Sequence, residues 1–166
     1  DGYDGGAGSR YQCKREVKSF WYPTWLAQLS ALVPDSKLID APAQDLSVDD
    51  LLPMANDYEF LVLYTSTPSF ENDVKVAEAF KEKNPGLLIG FCGAHVAVNN
   101  EAAIQASTVI DFVCDSEFDF TIQEIAEGKP VEEVVGVTIL KDGKPHFTGK
   151  RPIIEDMDSL PWVTKI

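Results

Sequence analysis

The chain has 166 residues, 45% of them apolar and 25% charged, which suffices to bury the core of one globular domain. A formal net charge of −13 supplies no clustered Lys and Arg, which argues against nucleic acid and against electrostatic attachment to anionic lipid. No apolar run approaches the roughly 20 residues that span a bilayer, and there is no signal-peptide pattern. Cys13, Cys92 and Cys114 lie too far apart for a metal or redox motif. A reducing cytoplasm is therefore the expected compartment. Two histidines, His95 and His146, exclude a His-rich metal site.

The first ten residues, Asp1 to Arg10, form a Gly-rich loop. In an α/β protein an apolar strand normally precedes such a loop, so a first strand is expected upstream of Asp1, its loss leaving a gap or a substituted strand near the sheet centre. From Tyr22 to Val33, Pro23 suits the first helical position, and Trp25, Leu26, Leu29, Leu32 and Val33 form an apolar stripe at helical spacing. Lys37 to Ala41 is short, apolar and bounded by turn residues, which predicts a strand. Ser47 opens a second helix as N-cap, with acids in its first turn.

Phe60 to Thr65 is a continuous apolar run, the pattern of a strand buried on both faces. Ser69 can cap a helix from Phe70 to Asn84, which Asn84-Pro85-Gly86 stops. Leu87 to Cys92 reads as another buried strand. A short helix at Glu101 to Ala106 leads to a strand over Val109 to Cys114, and Phe118 to Gly128 reads as a helix with Gly128 at its C-terminal cap. Asp142-Gly143 between Val134–Leu140 and Lys144–Thr148 signals a hairpin. The alternation predicts an α/β fold, a doubly wound and mostly parallel sheet in three α/β/α layers, with a C-terminal hairpin. Residues 1–150 form the domain and residues 151–166 an extended linker.

In open parallel sheets ligands bind beyond the carboxyl ends of the strands, near the switch in strand order. Here those ends are Asp40-Ala41, Thr65-Ser66-Thr67-Pro68, Gly93-Ala94-His95 and Asp115-Ser116-Glu117. Small and hydroxyl-bearing residues dominate, so a flat or bulky ligand can approach the backbone. Each stretch also has a plainer reading: a turn with an N-cap, a tight strand-to-loop turn with a surface histidine, and an acid serving the helix dipole. No nucleophile elbow, phosphate loop or dinucleotide glycine motif occurs, and no carboxylate pair stands out by its spacing. The residues by themselves support a binding cleft without catalytic or metal-ligating residues.

Taken in order, these segments resemble the cobalamin-binding domain of the cobalamin-type radical S-adenosylmethionine (SAM) proteins. Tyr22-Pro-Thr-Trp-Leu-Ala-Gln-Leu29 is similar to the Pro-containing first helix of that family. Thr65-Ser-Thr-Pro68 is similar to the loop after its third strand, and Gly93-Ala94-His95 to its Gly-Gly-x-His turn. Val109-Ile-Asp-Phe-Val113 followed by Ser116-Glu117 resembles a segment that ends in Gly-Glu. The tail Arg151 to Pro161 looks like the stretch that joins the cobalamin domain to the radical SAM barrel. Asp4 to Tyr11, Ser19 to Leu26, Thr65 to Phe70, Phe91 to Val98 and Glu117 to Thr121 look in particular like the radical SAM proteins of hopanoid biosynthesis.

The resemblance implies cobalamin as the ligand of this domain, held by Thr65, Ser66, Thr67, Gly93, Ala94, His95, Ser116 and Glu117. It also implies a 4Fe-4S cluster and an S-adenosylmethionine site in a barrel beyond Ile166, since the Cys-x-x-x-Cys-x-x-Cys spacing is absent here. The implied substrate of the whole enzyme is a hopanoid lipid, bacteriohopanetetrol, converted to a cyclitol ether. Such a substrate would bring a cytoplasmic protein to the surface of the inner membrane. Two departures from the family are visible. The Asp-x-His-x-x-Gly motif that supplies a histidine to cobalt is missing, so no cobalt ligand is expected from this chain. Asp115-Ser116 stands where the family usually has glycine. The alternatives are a scaffold or interaction domain that binds no cofactor, and a flavodoxin-like redox protein using the hydroxyls of Thr65 to Ser69.

Overall fold

In a computed structural model, residues 22–163 are described. Five strands, β1 (Phe60–Tyr64), β2 (Leu88–Cys92), β3 (Phe112–Cys114), β4 (Val137–Lys141) and β5 (Lys144–Phe147), form one sheet in the order β1-β2-β3-β4-β5. The first three run parallel, and β4 and β5 are antiparallel. Among the described residues seven helices accompany them: α1 (Thr24–Leu32), α2 (Ala41–Gln44), α3 (Val48–Leu51), α4 (Phe70–Lys83), α5 (Ala94–Val98), α6 (Asn100–Gln105) and α7 (Asp119–Ala126). The class is α/β, an open mixed sheet covered by helices on both faces.

Strand side chains alternate between the faces, and the core divides accordingly. Leu61, Leu63, Ile89, Phe91 and Val113 pack toward α4, α5, α6 and a 3-10 turn at Leu52–Asn56. Phe60, Val62, Tyr64, Leu88, Cys92, Phe112 and Cys114 pack toward α1 and α7. Phe91 and Phe112 are fully buried, and burying one such ring is worth about 2–3 kcal/mol. Gly90 lies opposite Phe112 in the β2–β3 register, and a Cβ at position 90 would fall 2.1 Å from the Phe112 ring. The phenyl group fills the space that this glycine leaves on the α1/α7 face.

Local signals carried several elements into place. Ser47 forms a capping box with Asp50: its Oγ accepts from Asp50 N–H at 3.3 Å, and its own N–H donates to Asp50 Oδ2 at 2.9 Å. Asp142 and Gly143 both take positive φ, 52° and 74°, the geometry of a two-residue hairpin turn. Gly128, at φ 93°, follows the end of α7 as expected.

Other expectations need correction. Lys37 to Asp40 is extended but joins no ladder, and Ala41 starts α2 instead of ending a strand. A strand exists only through its hydrogen-bonded neighbour, and among the described strands none lies beside it. The strand expected over Val109 to Cys114 shrinks to Phe112–Cys114, because β2 pairs only with Phe112 and Val113. Ser69 precedes α4, but its hydroxyl makes no cap bond to the helix and bonds within the preceding turn instead. The described strands lie in sequential order, so no reversal of strand order marks a crevice among them.

The segment after the hairpin packs on the domain. Arg151 Nε donates to Thr121 Oγ1 at 2.8 Å, and its Nη2 pairs with Glu124 Oε1. Leu160 is buried, beyond a 3-10 turn at Met157–Ser159.

Candidate functional site

The parallel strands β1 and β2 end side by side, and the ladder continues one step past them: Thr65 N–H donates to Cys92 O at 2.8 Å. This register brings Thr65-Ser66-Thr67 against Gly93-Ala94-His95. Thr65 is fully buried. Ser66 and Ser69 close a tight turn, with Ser66 N–H on Ser69 Oγ at 3.0 Å and Phe70 N–H on Ser66 O at 3.0 Å. Thr67 is exposed at the tip of the turn, and its Oγ1 lies 3.2 Å from His95 Nδ1.

Gly93 has φ 107° and ψ 179°, a region essentially restricted to glycine. A Cβ there would lie 2.5 Å from Thr65 O and 3.1 Å from Thr65 N. The neighbouring strand end therefore accounts for this glycine; no open approach for a ligand is needed to explain it. The plain strand-to-loop turn expected at 93–95 is in fact the start of α5, with Gly93 as N-cap and Ala94 and His95 in the first helical turn. The His95 ring lies over Phe70, with centroids 4.3 Å apart and planes inclined by 31°. Thr67, Phe70, Asn72, Lys75 and His95 line a shallow pocket of about 450 Å³ between α4 and α5.

Ser116 and Glu117 follow the end of β3 and do not line this pocket. Ser116 is exposed, and Glu117 O accepts a bond from Thr121 Oγ1 at 3.2 Å. The eight residues singled out from the sequence thus fall into a joined set of six at β1 and β2 and a separate pair at β3.

Two acids that sequence reasoning passed over belong to the same strand ends. Burial pushes the Asp73 carboxyl up, against the hydroxyls of Thr65 and Ser69 that favour its charged form. Its Oδ2 is buried without a hydrogen-bond partner among the described residues. Asp119, the first residue of α7, is likewise raised by burial, opposed by its own backbone N–H and reinforced by the Glu117 charge. Asp119 Oδ1 is buried and unpartnered among the described residues. An acid in the first turn of a helix after a strand was the visible signal at both positions, but the sequence does not say whether such a side chain turns outward or in.

Cys92 and Cys114 end adjacent strands on the α1/α7 face, both free and fully buried. Burial pushes both thiols up, which makes them poor nucleophiles. Beside them, Trp25 stacks on Tyr64 with centroids 5.7 Å apart and planes within 10°, and Tyr64 meets Phe118 edge-on. Among the described residues no group of three or more His, Cys, Asp or Glu side chains is placed to hold a metal ion, and no helix is long and apolar enough to cross a membrane.

Comparison with known proteins adds a partial match. No family model matches the chain. An uncharacterized methyltransferase of Pyrococcus horikoshii is 28% identical over 157 residues, covering 89% of this chain and 34% of that protein. The chain thus spans about a third of the length of the curated relative that it matches. The N-terminal domain of a hypothetical protein from Thermotoga maritima aligns in structure over 72% of this chain and 94% of that one, at 16% identity and a TM-score of 0.48.

Proposed function

We propose that this chain is a cobalamin-binding-type module of a larger radical SAM enzyme, one that acts on a hopanoid lipid at the inner-membrane surface. The observation that carries the reading is the union of Thr65-Ser66-Thr67 with Gly93-Ala94-His95 at the carboxyl edge of two adjacent parallel strands. Ligands of open α/β sheets bind at that edge. The similarity to part of a methyltransferase supports a place in group-transfer chemistry.

The residues present fit such a ligand. Thr67 and Ala94, side by side at the β1 and β2 ends, give an exposed rim of short side chains, which leaves room for a broad, flat macrocycle. Asp73 and Asp119, packed against the same strand ends, each carry a buried oxygen that has no donor among the described residues, and the rim of a corrin is set with primary-amide donors. A bound cobalamin would supply a cobalt centre able to carry a methyl group. This chain's own part is to bind and orient that group and to keep water from one side of it. His95 is not cast as a cobalt ligand, because it lies in Gly93-Ala94-His95-Val-Ala-Val98, outside the Asp-x-His-x-x-Gly pattern that supplies such a histidine. The 4Fe-4S cluster and S-adenosylmethionine would belong to another part of the polypeptide.

A second reading, a scaffold that binds no cofactor, draws on the local saturation of the site. Ser66 and Ser69 bond one another, and the space at Gly93 is taken by Thr65. Titrating cobalamin into the protein while following its visible spectrum separates the two. A saturable spectral change, abolished by Ala94→Trp at the exposed rim, is expected. An unchanged spectrum at high micromolar cobalamin refutes the cofactor reading in favour of the scaffold.

A further inference from the structure

The segment from Arg151 to Trp162 is held on the domain at two points. Arg151 reaches Thr121, Val135 O and Glu124, and Leu160 is 6% exposed. Between these anchors the chain has its own local order. Asp156 Oδ1 accepts from Asp158 N–H at 3.0 Å, Ser159 Oγ donates to Asp156 O at 2.6 Å, and Leu160 N–H closes on Met157 O.

This ordered strap turns its large apolar side chains outward. Ile153 is 70% exposed, Met157 60% and Trp162 74%. Isolated exposed apolar groups are ordinary on a surface, but three large ones within ten residues of one anchored segment are a concentration of the kind that marks an interaction site. Tryptophan is also among the residues enriched in the energetic hot spots near the centre of interfaces. Glu155, Asp156 and Asp158 lie among them, so the surface offered is apolar and acidic together.

We infer that the strap Ile153–Trp162 is the docking surface for another domain of the same polypeptide, one that presents an apolar groove edged with Lys or Arg. The inference rests on the reading of this chain as one module of a longer protein. The methyltransferase it resembles extends well beyond the matched 34%. The acids complement a basic partner, whereas a second copy of this chain, with a net charge of −13, would meet the strap with like charge. Anchoring the strap beforehand lowers the ordering cost of docking, which is the advantage of a pre-organised binding element.

The test uses the full-length polypeptide and the 166-residue chain, both with Trp21→Phe and Trp25→Phe so that Trp162 is the tryptophan read within this region. Selective 5-fluorotryptophan labelling, with Trp162→Phe as the assigning variant, isolates its signal from any tryptophans elsewhere. In the full-length protein the Trp162 resonance is expected to shift and its solvent accessibility to fall several-fold relative to the short chain. Glu155→Lys with Asp158→Lys is expected to reverse both effects, and so is Ile153→Ser with Met157→Ser. These side chains are exposed, so unchanged circular dichroism will report an intact fold. Equal accessibility of Trp162 in the long and short proteins overturns the inference. So does protection in the short chain that grows with concentration alongside a dimer mass, since the occupant is then a second copy. Cobalamin titration of the same samples keeps the two claims apart: absent binding with Trp162 protected refutes the cofactor reading alone.

Discussion

Gly93→Ala is the sharpest probe of how the β1 and β2 ends are joined. The alanine would have to hold φ 107° and ψ 179°, a strain of about 1–3 kcal/mol. Its Cβ would also sit 2.5 Å from Thr65 O. That oxygen is backbone next to a ladder bond, so it cannot swing away as a side chain would, and overpacking of this kind costs about 1–3 kcal/mol more. A combined loss of about 4 kcal/mol is a large part of the roughly 5–15 kcal/mol that holds a domain together. With a urea dependence of about 2 kcal/mol per molar, the unfolding midpoint should fall by about 2 M. Gly128→Ala is the control: it too has positive φ, 93°, but nothing lies within 4 Å of its Cβ. It should show backbone strain alone and a shift of less than about 1 M. Equal shifts for the two variants would refute the claim that contact with Thr65 dictates the glycine.

The two buried acids make stability depend on pH. Raised carboxyl pKa values mean that the folded state favours the protonated forms, so their contribution is complete below the unfolded value near 3.8 and is lost as pH rises through the folded values. Asp73→Asn and Asp119→Asn should therefore unfold at higher urea than the parent at pH 7, and the gain should shrink toward pH 4; a gain that does not vary with pH contradicts the assignment. With Cys13→Ser in place, Cys92 and Cys114 should react with a thiol reagent only as fast as the protein unfolds, and rapid labelling of the native protein would show them to be accessible. Arg151→Ala removes bonds to Thr121, Val135 O and Glu124, which should cost about 1–3 kcal/mol in a urea melt. The same change should raise amide exchange through residues 151–160, and unaltered exchange there would show that the strap does not depend on this anchor.

Elements whose cause is local were legible in the sequence. The helical spacing behind α4 and α7, the apolar runs behind β1 and β2, the Ser47 cap and the Asp142-Gly143 turn each depend on residues within a few positions of one another. Those positions carry their own conformational preference, so periodicity and turn chemistry were enough to find them. The grouping of Thr65–Thr67 and Gly93–His95 at strand ends followed from the same pattern, because the carboxyl ends of parallel strands share one edge.

What the sequence left open depends on partners distant along the chain. Lys37 to Asp40 has strand composition but no ladder beside it among the described strands, and composition does not reveal a neighbour. Phe112 fills the space over Gly90, and Thr65 forbids a side chain at Gly93; both facts arise from register between strands more than twenty residues apart. Asp73 and Asp119 read as ordinary first-turn acids until packing buried one oxygen of each. Arg151 reads as part of a linker until α7 supplies Thr121 and Glu124. Backbone propensity and apolar periodicity act locally and so are written in the sequence. Desolvation, register and steric exclusion act between segments, and only the tertiary structure decides them.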